Sequence, residues 1–181
     1  DALRESTYDV TQWDAYQRVN ERFAVTLANI APPNAIVWIH DYQLQLVPAM
    51  LRKQRPDITI GFFLHIPFPP YELFSRLPWR DEIIDGLLGC DLIGFQRPKG
   101  ATNFATCASQ LRQADTGENV IHNADHQTRL GVFPISIDFA EVEEMAAGRA
   151  TRRLTSQIRA RLGDPEVILL GVDRLDYTKG I

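Results

Sequence analysis

The sequence predicts an α/β fold, a Rossmann-like parallel sheet with helices on both faces, and three observations carry that expectation. Short apolar runs rich in β-branched and aromatic residues, "AIVWI" at 35–39, "ITIGFFL" at 58–64 and "DLIGF" at 91–95, are bounded by turn residues and read as strands. Between them lie segments whose apolar residues recur at helical steps. Apolar strands alternating with helices are the pattern of a parallel, doubly wound sheet. With 45% hydrophobic residues in 181, the chain can bury a real core.

The elements follow in order. Trp13, Tyr16, Val19, Phe23, Leu27 and Ile30 mark an amphipathic helix, with Thr11 and Asp14 resembling a capping box at its start and Pro32-Pro33 ending it. "AIVWI" reads as a fully buried strand, and Leu44, Val47 and Leu51 mark the helix after it. "ITIGFFL" is the second strand. In "GFFLHIPFPP", Pro67, Pro69 and Pro70 lack a backbone N–H and hold φ near about −65°, so the ladder must stop and His65 becomes the last strand residue. A helix-turn-helix stretch, "YELFSRL" then "RDEIIDGLL", leads to "DLIGF". A helix over 98–112, a polar loop or hairpin over 113–128, a strand "RLGVFPI" at 129–135, a helix near 139–147, a basic amphipathic helix near 151–162 and a strand "VILLGV" at 167–172 complete the chain. Trp13, Trp38 and Trp79 are assigned to the core.

Composition excludes several classes. The balance of 19 Lys and Arg against 23 Asp and Glu, net −4, with no long basic run, argues against nucleic acid or an anionic membrane as partner. No apolar run approaches a bilayer span, and "DALRESTYDV" has no signal-peptide core, so the expected location is the cytoplasm. Cys90 and Cys107 form no CxxC pattern and are expected to stay reduced. The chain opens without an initiator Met and stops directly after "RLDYTKG", where a helix should begin, so it is expected to be part of a longer protein.

In open parallel sheets, ligands bind beyond the carboxyl ends of the strands. Those ends carry His40 and Asp41, His65 and Ile66, Gln96 and Arg97, Ser136, and then Asp173, Arg174, Asp176 and Lys179. Each has a plainer role available. His40 could cap a strand, Asp41 could be a helix N-cap while still meeting a ligand, His65 could be a satisfied structural imidazole, and Arg174 could pair with Asp176. The rigid proline frame after His65 favours a ligand role, because a binding group needs a fixed support. No GxGxxG, GxxxxGK[ST] or GxSxG motif occurs, and no Asp-x-Asp pair to hold a metal on a diphosphate. His122 and His126 share helical spacing, but without a strong third ligand no metal site is expected. Carboxylate and imidazole at two strand ends, with Arg and Lys at another, suit a polyhydroxylated ligand carrying phosphate.

"VWIHDYQLQLVP", "GFFLHIPFPP", "DLIGFQ", "FPISID" and "GVDRLDYTKGI", in this order, resemble the α,α-trehalose-phosphate synthases of glycosyltransferase family 20. The likeness begins at "WDAYQRVNERFA" and is weakest at 113–128. It implies part of a two-domain GT-B glycosyltransferase that moves glucose from a nucleotide-diphosphate glucose to glucose 6-phosphate, with retention and without metal or cofactor. Residues 1–160 would be the C-terminal portion of the acceptor-side domain and residues 161–181 the start of the nucleotide-sugar domain. Asp41 would contact the acceptor and His65 the donor glucose. Ile66 would select the anomer, and Arg174 with Lys179 would hold the donor diphosphate. The family's N-terminal glycine-rich loop, its acceptor-phosphate arginine and its later acidic ribose-binding segment are not in this chain. Two alternatives share the fold: a pseudo-glycosyltransferase joining cyclitols, and a non-catalytic regulatory synthase-like subunit. A homo-oligomer is compatible with the sequence.

Overall fold

The computed structural model describes residues 7–123 and 126–174. These fall into two compact units, one reaching Ile135 and the other beginning at Ser136.

The first unit is an α/β layer. Helix α1 (Val10–Ile30) precedes strand β1 (Ile36–His40), a short 3-10 turn at Tyr42–Leu44, α2 (Val47–Gln54) and β2 (Thr59–Leu64). Then come α3 (Tyr71–Phe74), α4 (Arg80–Leu87), β3 (Leu92–Phe95), α5 (Pro98–Arg112) and the strands β4 (Asp115–Gly117), β5 (Val120–Asn123) and β6 (His126–Val132). The sheet order is β1-β2-β3-β6-β5-β4. β1, β2, β3 and β6 are parallel, and β5 and β4 are antiparallel to their neighbours. The parallel strands advance in one direction across the sheet, so right-handed crossovers carry the connecting helices to the same face. Burial agrees: Val37, Ile39, Ile60, Phe62, Leu64, Ile93, Phe95 and Leu130 lie in one core cluster with side chains from the helices. Each such fully buried side chain is worth about 1.5–3 kcal/mol over exposure. The α/β class is the one expected. On the other face Ile36 and Trp38 are exposed, beside a groove of about 470 Å³ lined by Trp38, Phe63, Leu92 and Phe133.

Several local expectations are corrected. β1 is the edge strand of this sheet, with alternating rather than complete burial, and Trp38 is 66% exposed rather than core. One neighbouring strand and one covered face cannot bury both sides of it. The cap of α1 is Asp9, whose carboxylate accepts from the Thr11 amide at 2.8 Å and its hydroxyl at 2.7 Å, so Thr11 is helical and not the cap. The buried stripe of α1 runs through Trp13, Asn20 and Ala24, while Val19, Phe23 and Ile30 are exposed. His65 lies just past β2: its amide turns to the Asp41 side chain instead of the ladder. Where the sequence predicts a loop or hairpin, over 113–128, β4 and β5 pair antiparallel and β5 pairs in turn with β6, which opens at His126 because that pairing extends it towards its N-terminus. β6 stops at Val132, two residues before Pro134.

The second unit holds α6 (Phe139–Ala147), capped by Asp138 through the Glu141 amide at 3.1 Å, and α7 (Arg149–Arg161). Residues 167–172 are not a strand: Leu169 is 94% exposed and Leu170 83%. A strand exists only with a partner for its N–H and C=O groups, and no partner strand occurs among the described residues of this unit.

Candidate functional site

Parallel pairing brings the ends of β1 and β2 together. His40 lies in register with Phe63, and the Asp41 amide donates to the Phe63 carbonyl at 2.9 Å. That places Asp41 beside His65, whose amide donates to Asp41 Oδ1 at 3.3 Å. Asp41 stands at the N-terminus of the 3-10 turn but its side chain makes no cap bond there, so the plainer helix-cap role is not the one observed. Its backbone adopts φ 67°, ψ 173°. Only glycine enters that region without strain, and the cost is about 1–3 kcal/mol. The three hydrogen bonds of Asp41, counting its carbonyl accepting from Leu44 N at 3.2 Å, over-determine the conformation.

Helix α1 holds the following loop from the core side. Tyr16 Oη donates to the Tyr42 carbonyl at 2.7 Å and accepts from the Gln45 amide at 3.1 Å. Burial pushes the Tyr16 phenol up to about 12, so it keeps its donor proton. Asn20, fully buried, donates to the carbonyls of Tyr16 at 2.9 Å and Gln43 at 3.0 Å and accepts from the Leu46 amide at 3.1 Å. Gly86 of α4 lets the helix approach this loop, since a Cβ there would collide with the Gln45 carbonyl and Leu46 Cα. Sequence reasoning missed Tyr16 and Asn20 as supports. The available signal was an asparagine on an apolar helical stripe, which must find partners when buried.

Next to Asp41, the His40 Nδ1 and His65 Nε2 atoms are 3.0 Å apart. His65 also borders a pocket of about 730 Å³ at the ends of β2 and β3, shared with Ile66, Phe95, Gln96, Arg97 and Lys99. Thus His40, Asp41, His65, Ile66, Gln96 and Arg97 are brought to one edge of the sheet. His122 and His126 are not joined into a metal site: they sit on separate strands, and His126 Nε2 engages the Cys90 carbonyl at 2.8 Å. Among the described residues no His, Cys, Asp and Glu side chains group to hold a metal ion. Cys90 and Cys107 are buried free thiols, and burial pushes both above the ordinary thiol range. Ser136, Asp173 and Arg174 belong to the second unit, where the Arg174 amide donates to Asp173 Oδ1 at 2.8 Å. Asp176 and Lys179 lie outside the described residues. Among the described residues no helix is long and apolar enough to cross a membrane.

The family profile Glycosyltransferase family 20 matches residues 1–181. The chain belongs to glycosyltransferase family 20. Two curated relatives of this family 20 chain are trehalose-6-phosphate synthases, from Mycolicibacterium vanbaalenii (54% identical over 190 residues) and Mycolicibacterium smegmatis (52% over 190). Both alignments cover 100% of this chain, but only 39% and 38% of the relatives, so the chain spans about two fifths of their length. Among solved structures, a trehalose-6-phosphate synthase described as OtsA matches with TM-score 0.77 and 36% identity, over 89% of this chain and 35% of that one. The N-terminal domain of Candida albicans trehalose-6-phosphate phosphatase matches with TM-score 0.77 and 30% identity, over 88% and 34%.

Proposed function

We propose that the full-length protein is a retaining glycosyltransferase that moves glucose from a nucleotide-diphosphate glucose to glucose 6-phosphate, giving α,α-trehalose 6-phosphate. The observation that carries this reading is the joining of Asp41 and His65 at adjacent strand ends, in a chain whose curated relatives are trehalose-6-phosphate synthases. A related E. coli structure, 36% identical, is described as bound with UDP-2-fluoro glucose, which supports a nucleotide-sugar donor.

In this reading the Asp41 carboxylate accepts a hydrogen bond from an acceptor hydroxyl, which suits a group that is acceptor-only when ionised. His65 lines the donor glucose, Ile66 shapes anomer choice, and Arg174 with Lys179 binds the diphosphate. The leaving phosphate takes the acceptor proton on the front face of the sugar while the two cations stabilise its growing charge. Catalysis is then positioning and electrostatics, with no metal required. Residues to about 160 serve the acceptor side, and 161–181 begin the nucleotide-sugar side. The protein acts in the cytoplasm.

The match to a phosphatase's N-terminal domain favours one second reading, a non-catalytic sugar-phosphate-binding subunit. Incubating the full-length protein with UDP-, GDP- or ADP-glucose and glucose 6-phosphate separates the two. Product with an α,α linkage, by NMR of the anomeric protons, is expected with at least one donor. No transfer from any of them would favour the regulatory reading, and a β-linked product would contradict retention.

A further inference from the structure

We propose that His40 is a positioning residue for His65, and that the hydrogen bond between them fixes which nitrogen of the His65 ring faces the donor sugar. This inference rests on the reading that His65 lines the donor glucose. His40 has no role in the family-derived site, and the reason to give it one is geometric.

Side chains two residues apart on a strand share a face. Trp38 and His40 on β1 therefore stand beside Phe63 on β2, with His65 just beyond the strand's end. The result is a row of four rings. His40 packs on Trp38 with centroids 4.5 Å apart at 44°, and His65 on Phe63 at 4.8 Å and 58°. Between the two imidazoles the centroids are 5.3 Å apart and the planes 26° from parallel, with Nδ1 of His40 and Nε2 of His65 at 3.0 Å. The backbones beneath them are tied by the Asp41 amide and by the bond from His65 N to the Asp41 carboxylate. Neither ring can turn without losing a packing partner.

A neutral imidazole carries one N–H and one bare nitrogen. A bond between two ring nitrogens holds one proton on its line, so either His40 donates and His65 carries its own proton on Nδ1, or His65 donates and its Nδ1 is bare. In both cases Nε2 of His65 is occupied and only Nδ1 remains to meet a sugar hydroxyl. The partner of one ring nitrogen sets the role of the other, the same logic by which an orienting residue fixes a histidine tautomer. Without His40, Nε2 would be free to bind water or to compete for the ligand.

The test uses the full-length enzyme, with donor kinetics for wild type, His40→Ala, His40→Asn, His65→Ala and the double alanine variant. His40→Ala is expected to lower kcat/KM for the donor about tenfold, the usual scale of one lost hydrogen bond. His40→Asn places an amide near the former Nδ1 and should recover most of that loss. The double variant should lose little beyond His65→Ala, because the two side chains act as one unit. Two-bond proton–nitrogen NMR correlations should show the His65 Nε2 shift of a hydrogen-bonded nitrogen in the wild type, whichever ring carries the shared proton, and a changed Nε2 shift in His40→Ala. If His65→Ala costs donor kcat/KM while His40→Ala costs nothing, or if the two losses multiply, the inference is overturned and the donor reading stands. If Asn fails to rescue and the His65 Nε2 shift is the same in wild type and His40→Ala, His40 contributes only ring packing and the inference is overturned. If His65→Ala itself has no effect, the donor reading fails and takes this inference with it.

Discussion

The ends of β1 and β2 and the segment 167–174 both carry residues expected to bind the same substrate, yet they stand in opposite structural conditions. Asp41 and His65 are fixed by a parallel ladder, a side-chain bond at 3.3 Å and a buried layer behind them. Residues 167–172, just as apolar in sequence, lie exposed and unladdered among the described residues, with Leu169 94% exposed. The difference teaches that an apolar run supplies the surface of a strand but not its hydrogen-bond partners. A strand-end site forms only where the neighbouring strand is also in place.

The largest effect that would break this contrast concerns the chain by itself. We expect the 181-residue chain, purified alone, to transfer no glucose, because a cleft between two domains requires both of them and the chain spans about two fifths of its relatives' length. Detectable trehalose phosphate from it would show that 167–181 needs no further partner.

In the full-length enzyme, Arg174→Ala and Lys179→Ala should each lower kcat/KM by roughly 10² to 10³, the scale of deleting one preorganised group facing developing charge. Both would act on one leaving group, so the double variant should lose less than the product of the single losses. Arg174→Lys should not rescue, since an ammonium cannot replace a bidentate fork. A lowered thermal midpoint with intact turnover would instead make Arg174 a brace for the turn beside Asp173.

A smaller effect probes what holds the first region still. Asn20→Leu removes the acceptor of the Leu46 amide and a donor to the Gln43 carbonyl, the side-chain bonds by which buried Asn20 holds the loop after Asp41. The loop's local opening free energy should fall by about 2 kcal/mol, read as roughly thirtyfold faster hydrogen exchange at the Leu46 amide. An unchanged rate would mean that α1 does not support the Asp41 loop.

Much of the first region was legible in the sequence. The apolar runs and helical periods locate β2, β3, α5 and α6 closely, and the proline frame of 67–70 correctly ends the ladder near His65. Asp41 and His65 could be nominated because both follow apolar runs. Their contact could not, since it depends on the register of His40 with Phe63, which is a property of two segments together. The same limit explains Trp38: a β-branched run looks alike at the edge or centre of a sheet, and only strand order decides. It also explains His40, whose partner lies just past the end of another strand, and Asn20, whose three partners are on its own helix and on the loop it supports.

The most direct test of the central claim, that the joined ends of β1 and β2 form the acceptor-side contact of a sugar-transfer site, is Asp41→Asn in the full-length enzyme with each substrate varied. Asn keeps the shape of the side chain and one oxygen to accept from the His65 amide, so the fold should persist while the charge is lost. The account predicts an acceptor kcat/KM reduced by about tenfold or more, with donor KM near the wild-type value. An unchanged acceptor kcat and KM with a raised donor KM would contradict it.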